Sequence, residues 1–408
     1  MSADYAARYG LSAAEEAWRR KAQAFALEEV APLSREADRA GRFPRALVPR
    51  MAALGLLGTP VDTAHGGGGA SALAAAVVAE ELGRVDGSVR GFLAVHVGLV
   101  TQTVAQFGTD EQRRAWLPRL LSGATIGCFA LTEPGAGSDA AAVTTTVRDD
   151  GDHVVIDGEK HWITNGGVAG LAIVFGTADP SAGRKGIEAW LVPTSTPGFE
   201  AHPMDGHALG HRASDHARLV FRGVRVPRAN RLGPARGGFK VAMGGLDHGR
   251  LNVAAGAVGI QAACLDACTA FARSRRQFGQ RIGDFQQVGA LLAQMRVDLE
   301  ASRLLVHHAA RTLDRTRGPA TAETSAAKLF ATEAALRTAT QAVRLHGARG
   351  YDDALPLERH YRDAIGLTIY EGTSEIQRVI LARDLLGRDD PAADGPREGA
   401  RGHKDGAR

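Results

Sequence analysis

The 408 residues exceed what one hydrophobic core usually holds and point to two or three lobes, while 44% hydrophobic and 23% charged residues read as soluble and globular. Lys and Arg number 49 against 45 Asp and Glu, so a formal charge of +4 is a weak argument for nucleic acid, and no basic run carries interleaved aromatics. Cys128, Cys264 and Cys268 make neither a disulfide framework nor a complete metal set; the last two lie four apart in an apolar helical pattern, as small core residues do. The N-terminus lacks the regions of a signal peptide, and no stretch of about 18 or more apolar residues is evident, so the expectation is a cytoplasmic protein without a membrane span.

In chain order, Trp18, Ala22 and Phe25 recur at helical spacing over Ser12 to Val30, with Pro32 expected to close the run. Further helices are predicted over Arg45 to Leu57, Ser71 to Leu82 and Asp86 to Phe107, and Thr109 with Asp110 and Glu111 suits the start of another. From about Gly127 the texture becomes short β-prone runs, Val143 to Arg148, His153 to Asp157, Leu171 to Thr177, Ile187 to Pro193 and Leu219 to Val226, separated by turn residues. Long helical patterns return over Leu251 to Ser274, Gln286 to Arg315 and Thr321 to Leu345, with a last helix from about Thr373 to Leu386, which suggests a four-helix bundle. The expected organisation is a helical domain over 1–125, a β-domain over 126–235, a bundle over 236–387, and a disordered tail over 388–408 with almost nothing to bury.

The most poised carboxylate is Glu371, between Tyr370 and Gly372. A ring excludes water on one side and the absent Cβ lets another molecule approach on the other, which suits a base; the competing reading is a helix N-terminus capped by Thr373 or Ser374. Phe129 to Asp139 leaves a strand into a loop whose glycines admit a flat or anionic ligand, with Thr132 and Ser138 adding hydroxyls, or is a surface turn. Trp162 and Thr164 at another strand end suit a wall for an aromatic cofactor, unless the Trp is core. Arg275 and Arg276, with Phe278 and Gln286, suit a pyrophosphate or simply a basic helix end, and His346 reads as a structural histidine.

Phe129 to Asp139, Trp162 to Gly166, Gly238-Phe239, Leu246 to Arg250, Arg275 to Gly279 with Gln286, Leu345 to Gly350 and Tyr370 to Arg378, in this order, closely resemble the acyl-CoA dehydrogenase family, from about Leu11 to Gly387. The resemblance implies an α+β multidomain fold, an N-terminal helical domain, middle β-barrel and C-terminal four-helix bundle, assembled as a dimer of dimers that binds FAD. Phe129, Leu131, Thr132, Ser138, Trp162 and Thr164 would line the flavin, Thr164 near N5. Arg275, Phe278, Gln286 and the segment holding Arg344, Gly347 and Ala348 would reach the FAD of a neighbouring subunit, and Thr373 and Glu375 would complete its site. Ser138, Asp247, Arg250, Tyr370, Gly372 and Arg383 match positions that contact the acyl thioester and its pantetheine and nucleotide arm.

By the same resemblance Glu371 takes the α-proton of an acyl-CoA or acyl-carrier-protein thioester while the β-hydride passes to the flavin, leaving a trans-enoyl thioester. The Glu371 amide and a ribityl hydroxyl would bind the thioester oxygen. One branch of the family keeps the glutamate at the position of Gly249. Electron-transferring flavoprotein or oxygen is the implied acceptor. Arg344, Ala348 and His65 depart from the usual pattern, the first two within the cross-subunit FAD contacts. Arg90 resembles two subsets, glutaryl-CoA dehydrogenases, where an arginine meets a distal carboxylate, and members from polyketide or peptide pathways acting on carrier-protein thioesters; a surface ion pair with Asp86 or Glu81 is its plain alternative. Oxygen-activating relatives typically lack the glutamate, and a DNA-associated relative is disfavoured by the charge balance.

Overall fold

The computed structural model describes residues 5–316 and 318–387, so the tail expected over 388–408 lies outside the described residues. Eight helices come first: α1 (Tyr5–Tyr9), α2 (Ala13–Phe25), α3 (Ala31–Ala40), α4 (Leu47–Ala53), α5 (Ala72–Gly83), α6 (Gly87–Leu93), α7 (Gln102–Phe107) and α8 (Asp110–Leu121). Their starts are written in local chemistry. Ser12 and Thr109 form capping boxes with Glu15 and Gln112, Ser71 caps α5, and the Asp86 carboxylate accepts the Ser88 and Val89 amides at the start of α6. Pro32 does not close the first helix as expected. A π-helical stretch, Ala26–Val30, loosens the hydrogen-bond ladder ahead of it, and Pro32 falls in the first turn of α3, where a missing N–H costs little. A second π-helical stretch, Ala94–Thr101, joins α6 to α7.

The middle of the chain is one curled seven-stranded sheet of β1 (Gly127–Ala130), β2 (Thr146–Asp150), β3 (His153–Thr164), β4 (Leu171–Thr177), β5 (Ile187–Pro193), β6 (Phe199–Pro203) and β7 (His216–Pro227). β4 lies between parallel β1 and antiparallel β5, and β2, β3, β7 and β6 follow as antiparallel neighbours, joined to β4 through Thr146 and Thr177. β4 is buried on both faces, hence its unbroken apolar run: Ile173 and Phe175 pack with Val104, Leu117 and Val241 of the helices, while Ala172 and Val174 pack with Trp190 and Leu219 inside the sheet. β6 escaped the sequence reading because Phe-Glu-Ala-His-Pro is short, polar and at the edge.

The last part holds α9 (Gly238–Ser274), a hairpin of β8 (Arg276–Gln277) and β9 (Gln280–Arg281), α10 (Gln286–Thr316), α11 (Thr321–His346), α12 (Ala348–Tyr351), α13 (Leu357–Leu367) and α14 (Ser374–Leu385). α9 begins at Gly238, not at Leu251, because tertiary contact overrides the low helix propensity of Gly244, Gly245 and Gly249. Contrary to the expectation that no stretch is apolar enough to span a membrane, α9 is long and apolar enough by composition; 72% of its most apolar window is buried inside the protein. The unexpected helix is α13. Leu357, Ala364 and Leu367 enter the bundle core, whereas α14, expected as the fourth bundle helix, buries only Ser374 and Gln377. α13 hid from the periodicity because Arg359, Arg362 and Asp363 are also on its buried side.

α5 meets α9 backbone to backbone. A Cβ on Gly83 would lie 2.7 Å from Gly256, and one on Gly259 would lie 2.2 Å from the Glu80 carbonyl, so only glycine permits this approach. The crossing aligns α5, α6 and the middle of α9 around the site.

Candidate active site

The turn between α13 and α14 carries Glu371 and Gly372 in consecutive left-handed conformations, with φ of 57° and 87°. Glycine adopts this freely, but for a glutamate it costs on the order of 1–3 kcal/mol, and the surroundings must impose it. Gln377 Nε2 donates to the carbonyls of Glu371 at 3.2 Å and Gly372 at 2.9 Å, and the buried Lys328 on α11 donates to the Gly372 carbonyl at 2.7 Å. Thr373 caps α14 by accepting the Ile376 amide at 3.3 Å. The helix N-terminus read from this stretch is present, with Thr373 as its cap, and Glu371 stands two residues ahead of it.

The Glu371 Oε2 atom is enclosed and has no hydrogen-bond partner among the described residues. A Cβ on Gly249 of α9 would lie 2.4 Å from it, so α9 leaves open the space that this oxygen occupies. Burial pushes the Glu371 carboxyl up to about 7, against the opposing pull of Arg250, Lys328 and Arg90. Arg250 donates to Asp247 at 2.8 Å, and Asp247 accepts from Thr321 at 2.9 Å, an arrangement that holds the guanidinium beside the carboxylate.

Arg90 is not a surface residue. It is 1% exposed, donates to Tyr370 Oη at 2.5 Å and approaches Asn252 Oδ1 at 3.4 Å, and has no ion pair with a carboxylate among the described residues. The expected partners are spent elsewhere, Asp86 on capping α6 and Glu81 on Arg19 at 2.5 Å. Arg90 and Asn252 line a cavity of about 50 Å³ between α5, the run from α6 to α7, and α9. Its other walls are mainly small and apolar, Ala75, Ala76, Ala79 and Leu251 among them, and it has room for a few water-sized groups.

On the sheet side, Trp162 is 55% exposed with φ of 58°, so it is not core, and Thr164 Oγ1 is 3.1 Å from His216 Nδ1. Burial holds His216 and His211 neutral, down to about 4 and about 3. The Tyr370 hydroxyl lies 3.1 Å from His211 Nε2. Phe129 and Leu131 are buried on β1 and the strand's exit, Thr132 is half-buried, and Ser138 is exposed on the following loop. Glu133 pins that loop, accepting the amides of Thr144 at 2.6 Å and Thr145 at 3.0 Å and a buried Lys160 ammonium at 2.7 Å. Burial opposes its charge, yet Lys160 and these donors hold it down to about 2.

Arg275, Phe278, Gln286, Arg344, Gly347 and Ala348 are all exposed and lie where α9 and α11 end and α10 begins. Phe278 is 93% exposed. His346 between them is structural, stacked on Phe271 at 4.3 Å with Nδ1 2.9 Å from the Ala342 carbonyl. Along α9, Gly249 and Arg275 are separated by about 39 Å at 1.5 Å per residue. Within one chain this group does not meet Glu371, Trp162 or Thr164. On α14, Glu375 is exposed and pairs with Arg378 at 3.2 Å, and Arg383 is half-buried.

The sequence reading passed over Lys328, Gln377, Asn252, His211 and His216. Lys328 had one visible signal: it occupies the stripe Thr324, Lys328, Ala331 and Ala335, whose other members are core residues.

A helical domain, a curled sheet and a helical bundle, in this order along one chain, define a class of flavin-dependent oxidoreductases. The chain belongs to the acyl-CoA dehydrogenase family, with models of its N-terminal domain matching residues 12–124, its middle domain 128–224 and its C-terminal domain 236–386. It is 42% identical to the mouse mitochondrial short-chain specific acyl-CoA dehydrogenase, over 89% of this chain and 87% of that one. It is 43% identical to the probable acyl-CoA dehydrogenase YngJ of Bacillus subtilis, over 89% and 95%. Among solved structures it resembles butyryl-CoA dehydrogenase from Megasphaera elsdenii (36% identity, TM-score 0.89, 92% and 99% of the chains). Comparable likeness extends to a glutaryl-CoA dehydrogenase complexed with glutaryl-CoA (35%, 0.90, 95% and 99%) and to the prolyl acyl carrier protein oxidase AnaB (32%, 0.86, 92% and 99%). The family uses FAD.

Proposed function

We propose that this chain dehydrogenates a short acyl thioester between its α and β carbons, with Glu371 as the base. The observation that carries the reading is the Glu371 carboxyl: enclosed, without a hydrogen-bond partner on Oε2, and raised to about 7, so that it is poised to take a proton near neutral pH. Its own amide would serve as a donor for the thioester oxygen, which would acidify the α-carbon. Gly372 would admit the thioester, and Ser138, Asp247, Arg250, Tyr370 and Arg383 would hold its acyl end and arm.

FAD fits the residues present. Trp162 offers an exposed ring at a strained strand end, Thr164 a hydroxyl beside it, and Gly135 and Gly137 have open space where a Cβ would stand. Phe129, Leu131, Thr132 and Ser138 would complete that wall, and the bound group would supply the acceptor for the β-hydride, so that a trans-2-enoyl thioester would remain. Arg275, Phe278, Gln286, Arg344, Gly347 and Ala348, with Thr373 and Glu375, would serve the FAD of a neighbouring subunit. The roughly 39 Å between Arg275 and Gly249 favours that division, and the proposed assembly is a homotetramer built as a dimer of dimers.

Arg90 favours a second reading of the acyl group. A buried guanidinium without a carboxylate, in an apolar cavity, suits a polar or anionic acyl end, as on glutaryl-CoA, or a substituted acyl group carried on a carrier protein in secondary metabolism. The proposed setting is the cytoplasm, with electron-transferring flavoprotein or oxygen as acceptor. Anaerobic mixing of the purified enzyme with butyryl, glutaryl and carrier-protein thioesters, watching the flavin bleach, tests the whole reading. Bleaching by none of these, or by none without oxygen, would overturn it.

A further inference from the structure

We propose that Lys328 is the positioning residue of this site: from α11 it clasps the Gly372 carbonyl and sets its ammonium charge against the Glu371 carboxylate, holding the base in place and ionised. The proposal rests on Glu371 being the base.

Lys328 is 0% exposed, an expensive place for an ammonium unless hydrogen bonds and an opposite charge compensate. One compensation is the 2.7 Å bond to the Gly372 carbonyl. That carbonyl follows two residues with positive φ, and Gln377, its other donor, bonds it at 2.9 Å from the far side of the turn's sequence. A turn carrying a left-handed glutamate needs such restraint, because relaxation toward ordinary backbone would carry the carboxylate away from Gly249. The second compensation is charge. Of the groups facing Glu371, Arg90 comes from α6 and already bonds Tyr370, while Arg250 comes from α9 and already pairs with Asp247. Lys328 comes from α11 and, among the described residues, makes no ion pair with a carboxylate; Glu371 is the strongest opposite charge acting on it, with Glu333 and Glu375 as weaker influences, and Lys328 adds to the larger pull of Arg250 on Glu371. Burial lowers Lys328 to about 8 against the pull of Glu371, which leaves it charged at neutral pH.

A merely structural lysine would change stability but not the ionisation of Glu371. Difference infrared spectroscopy of the FAD-loaded enzyme, with Glu371→Gln identifying the carboxyl band, reads that ionisation without turnover. Lys328→Gln keeps a donor for the Gly372 carbonyl and removes the charge. Its Glu371 midpoint is expected to rise by ~1 pH unit, and the acid limb of anaerobic flavin reduction to move with it. Lys328→Met removes donor and charge, and is expected to show the same rise together with a lower plateau rate. An unchanged midpoint in Lys328→Gln, with FAD content retained, overturns the proposal. If instead substrate bleaches Glu371→Gln at the wild-type rate, the base assignment falls, while the infrared midpoint still decides whether Lys328 sets the charge of that carboxyl.

Discussion

Gly249 and Glu371, 122 positions apart in the chain, address one point: a side chain on Gly249 would start 2.4 Å from the Glu371 Oε2. The helix therefore leaves the space that the carboxylate fills. Gly249→Ala should displace the carboxylate while leaving FAD in place, and slow flavin reduction by about 10- to 100-fold, the cost of a roughly 1 Å misplacement. The paired change Glu371→Gly with Gly249→Glu should recover part of the rate that Glu371→Gly loses. Stopped-flow bleaching of the four proteins checks both, and no recovery would mean that proximity at this point is insufficient for proton transfer.

Glu371→Gln should retain FAD and lose at least ~100-fold in the reductive half-reaction. In the wild type the rate should climb as pH rises through about 7, because only the ionised carboxyl accepts a proton. Stability runs the other way. A carboxyl whose folded pKa is raised contributes fully at pH below its ordinary range and loses that contribution as pH rises through about 7. At pH 8 the Gln variant should therefore resist denaturant better than wild type, by up to about 3 kcal/mol, with the difference vanishing near pH 4. Equal denaturation midpoints at pH 8 would show that Glu371 is better solvated than its enclosure indicates.

Arg90→Ala opens an apolar cavity and strips Tyr370 of a donor at 2.5 Å. If the guanidinium receives a polar acyl end, kcat/KM for the polar thioester should fall much further than for a butyryl-type one, since an unmatched polar group loses more than a methylene. The ratio of the two constants in both proteins is the measurement. An equal fall would assign Arg90 to holding Tyr370, and brisk wild-type turnover of palmitoyl-type chains would dismiss the polar cavity.

Arg275 is exposed at the far end of α9 from the base. If it anchors the pyrophosphate of a neighbour's FAD, Arg275→Ala should purify with little flavin and dissociate more readily, because a ligand bound across a boundary stabilises the assembly. Flavin absorbance and sedimentation read the two effects together. Full flavin with unchanged size would leave Arg275 as ordinary surface charge.

Local chemistry made much of this legible in advance. Asp86 and Thr109 mark helix starts because an oxygen one residue ahead satisfies free amides, and β4 announces itself by β-branched and aromatic residues in an unbroken run. Glu371 stood out for the same reason: a carboxylate between a ring and a glycine is odd at the level of neighbours.

What the sequence by itself determined was the succession of a helical, a β and a second helical part, the helix start at Thr373 and the candidate base; what tertiary structure decided was the company that candidate keeps. Arg359, Arg362 and Asp363 interrupt the apolar pattern of α13, yet they are buried where partners from distant segments meet them, Asp38 accepting from Arg362 at 2.6 Å across 324 positions. For Arg90 the sequence left open an acyl-pocket residue and a surface partner of Asp86 or Glu81, and the fold turns it inward to Tyr370; Lys328 drew no reading on its alanine-rich helix, and the fold brings the Gly372 carbonyl to it. Hydrophobic periodicity reports which face of an element avoids water, a property of neighbours in sequence. The burial of a charge depends on an opposite charge or carbonyl supplied from elsewhere in the fold, and only the packed chain brings it there.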